Sequence, residues 1–91
     1  MPCITSRDEI SDLVIDKLNE VLDKKNITEE TELDGDLGLD KQARELLFFD
    51  IRDSVLRDGC KFKKFTAVSC GKASNVGAIV DIIAEDFDVA A

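Results

Sequence analysis

Between Ser6 and Asp23 the apolar residues Ile10, Leu13, Val14, Leu18, Val21 and Leu22 recur at spacings of three and four, with Asp8, Asp12, Asp16, Asn19, Glu20 and Asp23 between them. That spacing places the two sets on opposite faces of an α-helix and predicts one from Ser6 to Asp23. Ser6 followed by Glu9 reads as a capping box, in which hydroxyl and carboxylate satisfy orphan amides at the helix start. The period is lost after Asp23. Residues from Lys24 to Leu39 form a long connection, whose Ile27, Leu33, Leu37 and Leu39 are too apolar for a free linker and are expected to pack onto the helices.

Asp40 is a good N-cap for a second helix, Lys41 to about Leu56, with Leu47, Ile51, Ser54 and Val55 on one face and Phe48 and Phe49 widening it. Arg57, Asp58 and Gly59 read as its stop, Gly59 suiting the left-handed position beyond a helix end. Cys60 to Ala73 has no clear period. There "FTAVSC" has the composition of a strand and "CGKAS" that of a turn. Ser74 then caps a last helix, Asn75 to about Phe87, burying Val76, Ile79, Val80, Ile83 and Phe87. The fold class is all-α: a bundle of three main helices plus a short or irregular fourth segment. Ile10, Leu13, Leu18, Leu47, Ile51, Val76, Ile79, Val80 and Ile83 are expected to share its core.

Ninety-one residues suit a single domain, 1–91, with one modest core. Twelve basic against twenty acidic residues give a net charge of −8. A field of that sign repels nucleic acid and anionic lipid and attracts basic partners. No apolar run approaches the roughly 18 residues of a membrane span, and "MPCITSRDEI" lacks the basic-then-apolar order of a signal peptide. The expectation is a cytoplasmic protein with no membrane association. Cys3, Cys60 and Cys70 include no C-x-x-C pair and histidine is absent, which argues against structural zinc. Reduced thiols are expected, with a Cys60–Cys70 disulfide as the alternative. Without histidine the usual general base and the Ser-His and Cys-His nucleophile systems are missing, so no enzyme is expected.

The densest candidate chemistry lies in "TELDGDLGLDKQARELL", Thr31 to Leu47. Counted from Asp34 as an EF-hand loop, Asp34, Asp36, Asp40 and Glu45 fall at positions one, three, seven and twelve. Against this, Leu39 occupies the sixth position, where the bend needs glycine, and Gly38 the fifth, which needs an oxygen ligand. Lys41 stands at the eighth, normally apolar, and there is no second loop. Calcium binding through Asp34 to Glu45 is the second alternative reading.

The layout supplies another. A first helix is followed by Ile27-Thr28-Glu29-Glu30-Thr31-Glu32-Leu33 and then by Leu37-Gly38-Leu39-Asp40 running into a second helix. In this the chain resembles the acyl carrier protein family, closely from Arg7 to Ile51 and loosely from Ser74 to Phe87. The resemblance implies a serine directly after the aspartate that carries 4′-phosphopantetheine, at a helix N-terminus whose free amides suit a phosphate. Here the residues are Asp40-Lys41-Gln42, and lysine has no hydroxyl to esterify. Ser54 follows Asp53 but lies inside the second helix. Ser69 has neither a preceding aspartate nor a helix start directly after it. The arm is therefore expected to be absent, and a genuine carrier using an unaligned serine is the first alternative.

The leading reading keeps the fold and drops the arm, since one small architecture serves unrelated tasks. It is a monomeric, non-catalytic interaction module with no cofactor, whose partner presents a basic surface. Asp36, Asp40, Glu45, Asp50 and Asp53 lie on or beside the second helix, which the resemblance implies is the surface read by basic partners. Lys41, Arg44 and Arg52 interleave with them, so for any one carboxylate a solvated, charge-paired helix face is the plainer reading. "KFKKF", Lys61 to Phe65, reads as a loop pinned by Phe62 and Phe65 with its lysines neutralising nearby carboxylates. "SCGKAS" lacks the first glycine and preceding strand of a P-loop. Phe48 and Phe49 are expected in the core, with one of them facing a partner or lining an acyl-sized cavity as the alternative.

Overall fold

The computed structural model describes residues 6–55 and 62–87. Four helices run in the order α1 (Arg7–Leu22), α2 (Lys41–Val55), α3 (Ala67–Lys72) and α4 (Val76–Asp86). Helix α1 packs against both α2 and α4, and α3 packs against α2. Leu56, the proposed stop at Arg57 to Gly59, and the cysteines Cys3 and Cys60 lie outside the described residues. No helix among the described residues is long and apolar enough to cross a membrane.

The helical stripes meet in one core. Ile10, Val14 and Leu18 from α1, Leu47, Ile51 and Val55 from α2, and Val76, Ile79, Val80 and Ile83 from α4 are buried together, with Leu13 and Leu22 packed at the edge. Val21 departs from the expected stripe: it is 42% exposed, whereas Leu18 and Leu22 in the same last turns of α1 meet the core. Ser6 is the N-cap of α1 as expected, but its side chain makes no capping hydrogen bond, so the Ser6–Glu9 box does not form. Asp40 does cap α2, its Oδ1 accepting from the Ala43 amide at 2.8 Å.

The connection between α1 and α2 is a structural element in its own right. Ile27 and Leu33 are buried, and Leu37 and Leu39 pack against the core. Its backbone also completes α4. The Val76 amide donates to the Thr31 carbonyl at 3.1 Å, the Gly77 amide to the Glu29 carbonyl at 2.7 Å, and the Ala78 amide to Asn75 Oδ1 at 2.8 Å. Three orphan donors of the helix start are thereby satisfied, two of them by the loop. A Cβ on Gly77 would stand 3.1 Å from the Glu29 carbonyl, so glycine permits this close approach. The cap itself is Asn75 rather than the expected Ser74, whose carbonyl instead accepts from the Leu33 amide at 3.0 Å.

The segment of strand-like composition is helical. Thr66 caps α3 and Ser69 returns the bond, Thr66 Oγ1 accepting from the Ser69 amide at 3.2 Å and Ser69 Oγ from the Thr66 amide at 2.7 Å. This reciprocal box outweighs the weak strand preference of Thr66 and Val68, which have no neighbouring strand to pair with among the described residues. Ser69 is accordingly the third residue of a helix, correcting its placement in a loop. Phe65 is buried and Phe62 packs beside it, as expected of "KFKKF". Lys64 pairs with Glu85, and the Lys64 and Phe65 amides both donate to Asp86 at 2.7 Å.

Candidate functional site

Helix α2 turns the row Leu47, Ile51 and Val55 inward. At 100° per residue, Leu46, Phe49, Asp50 and Asp53 then fall together on another side of the helix, spaced three, four and seven apart. Leu46 is 58% and Phe49 47% exposed, the two large apolar side chains of α2 that the fold leaves in water. The expectation of Phe49 in the core is thus corrected: only Phe48 turns inward, its ring 5.0 Å from that of Phe65. On α2, Phe49 stands about 100° further round than Phe48 from the buried row of Leu47, Ile51 and Val55.

The aromatic pair stays joined all the same. Phe48 and Phe49 meet edge to face at 5.2 Å, and the Arg52 guanidinium stands 5.7 Å and 5.5 Å from their ring centres. Arg52 also lies 3.7 Å from Asp53. Phe49 is expected to widen the α2 stripe, and sequence reasoning does not single out Leu46, although it lies off that stripe by spacing.

The five carboxylates singled out by sequence separate into two groups. Asp36, Asp40 and Glu45 have work inside the fold. Asp36 Oδ2 accepts from the Glu32 amide at 2.9 Å, bracing the turn from Glu32 to Asp36. Asp40 caps α2, and Glu45 lies against Gly71 of α3. Asp50 is half-buried and Asp53 exposed, both beside the apolar pair.

Three of the carboxylates counted for calcium have partners within the fold. Asp36 and Asp40 direct carboxylate oxygens at backbone amides, and Glu45 points toward α3. Among the described residues no three acidic or cysteine side chains converge as a cation site.

Lys41 is the first residue of α2 and is exposed, immediately after the Asp40 cap. The resemblance puts its attachment serine at that place, and the ammonium there faces the positive end of the helix dipole. Ser54 is the half-buried penultimate residue of α2. Ser69 is occupied by the α3 box and donates to the Lys64 carbonyl at 2.9 Å. Cys70 is buried, and desolvation pushes its thiol up to about 12, against a smaller opposing pull from Arg44.

No protein-family model matches the chain, and no curated protein or solved structure matches it significantly.

Proposed function

We propose that this chain is an acyl-carrier-like helical domain without a prosthetic arm, working as a monomeric, non-catalytic module that docks a cytoplasmic protein through α2. The observation that carries the reading is the exposure of Leu46 and Phe49 beside Asp50 and Asp53. Apolar side chains on the surface lose water favourably only when a partner covers them. The neighbouring carboxylates and the net charge of −8 select a basic partner and speed its approach. Lys41 at the head of α2 supports the loss of the arm, since no hydroxyl stands there.

Two measurements test this. After co-expression with a broad-specificity phosphopantetheinyl transferase, the intact mass stays that of the unmodified chain; a gain of the arm's mass on any serine refutes the armless reading. A photo-crosslinking residue replacing Phe49 captures a protein with a basic contact surface, in a manner weakened by salt, while the same residue at Glu20 on α1 does not. Equal capture from both positions removes the case for α2.

A further inference from the structure

A cleft lies apart from the exposed Leu46 and Phe49. The loop after α1, the first turns of α2 and the junction between α3 and α4 enclose an open cleft of about 400 Å³, lined by Glu32, Asp34, Arg44, Lys72 and Ser74 among others. Its size falls in the range of small-molecule sites, which combine a concave surface with a few convergent polar groups.

Arg44 is the anchor. Its Nε donates to the Gly71 carbonyl at 2.9 Å and its Nη1 to the Leu39 carbonyl at 2.7 Å, so the half-buried guanidinium is fixed from two sides. Both partners are neutral. No carboxylate among the described residues comes within ion-pair distance of it, and Lys72 has none either. A planar guanidinium fixed by two of its five N–H groups keeps three for an oxyanion. The Ser74 hydroxyl, also without a hydrogen-bond partner among the described residues, adds a neutral donor.

The cleft also carries the opposite charge. Glu32 and Asp34 line the same cleft and form no ion pair with Arg44, Lys72 or any other described residue. Two cations and two anions thus share one cleft without closing on each other. A simple anion meets the two carboxylates and a simple amine meets the two cations, so each is disfavoured by like charge. A ligand with both charges satisfies both pairs.

We propose that this cleft binds a small zwitterion, its carboxylate or phosphate held by Arg44 and Lys72 and its ammonium by Glu32 and Asp34. The site stands apart from the docking reading, because Leu46, Phe49, Asp50 and Asp53 do not line it.

The test is a titration of the 15N-labelled full chain, followed by amide chemical shifts, with glycine, 4-aminobutanoate, 6-aminohexanoate and phosphoethanolamine. Inorganic phosphate and butylamine serve as single-charge controls. At least one zwitterion should shift the Gly35, Ala73 and Ser74 amides saturably and bind about tenfold tighter than either control. The exposed substitutions Lys72→Gln and Glu32→Gln should each weaken it about fivefold, the size of one exposed charge contact, with the circular dichroism spectrum unchanged. The carboxylate and phosphate probes then separate the two sources of the anionic end. Absence of any saturable shift at tens of millimolar overturns the site. Phosphate binding as tightly as the zwitterions overturns the ligand class, and indifference to both substitutions places the binding elsewhere.

Discussion

Glu45 of α2 lies so close to Gly71 of α3 that a Cβ on Gly71 would stand 2.5 Å from its Cγ, with the Lys41 carbonyl 3.5 Å away. The residue that spacing offers as a twelfth calcium ligand or a partner contact therefore packs one helix against another. Alanine in place of a helical glycine ordinarily adds about 0.8–1 kcal/mol of helix propensity. Here Gly71→Ala must first displace Glu45, so it should leave stability unchanged or lower it. In a Glu45→Ala background the same change should stabilise by about 0.5–1 kcal/mol. Equal effects in both backgrounds, measured by urea unfolding, would contradict the contact.

Neighbouring leucines of α2 provide a sharper contrast. Leu47 is 4% exposed and Leu46 58%. Leu47→Ala should destabilise by roughly 2–5 kcal/mol through lost burial and a cavity, whereas Leu46→Ala should stay within about 0.5 kcal/mol. Reversal of that order in chemical denaturation would show the register of α2 to be wrong.

Lys41→Ser restores Asp-Ser at the head of α2 but leaves Gln42 where the resemblance implies an apolar residue. The position is exposed, so the variant should melt with the parent. We expect slow modification, or modification only by a permissive transferase, and none of the parent. Rapid, complete modification of Lys41→Ser would show Gln42 to be no obstacle.

Millimolar calcium should leave the melting temperature unchanged. The loop has leucine where the bend needs glycine, and Asp36 and Asp40 each already commit one oxygen to the Glu32 and Ala43 amides, at 2.9 and 2.8 Å. A ligand that binds the folded state tightly raises its stability by mass action. A rise of several degrees that EGTA reverses would reinstate the loop.

The buried Cys70 thiol links stability to alkaline pH. Its folded value, about 12, lies above the ordinary 9.0. An acid raised on folding keeps its proton in the folded state while the unfolded chain loses it. The contribution is therefore complete below about pH 9 and declines as pH rises toward 12. Between pH 8 and 11 the melting temperature of the parent should fall more steeply than that of Cys70→Ala. Parallel slopes would remove Cys70 as the cause, and iodoacetamide should leave Cys70 unlabelled at pH 8 until the chain unfolds.

The sequence by itself determined the three long helices, the Asp40 cap and the inward rows of α2 and α4, because each depends on spacing within a few turns. It also determined that Ile27 and Leu33 pack inward, since four apolar residues in a polar connection need cover. Tertiary structure decided what depends on distant backbone. Asn75 rather than Ser74 begins α4 because Ser74 gives its carbonyl to Leu33 and the loop brings Thr31 and Glu29 to the next two amides. Helix α3 has only six residues, too few to display a period, and stands through the Thr66–Ser69 box and its packing on α2. Phe62 and Phe65, just ahead of α3, receive the ring of Phe48 rather than that of Phe49. The packing of α3 on α2 also brings Lys72 and Ser74 beside Arg44, from which they stand 28 and 30 positions away in sequence, outside any local pattern.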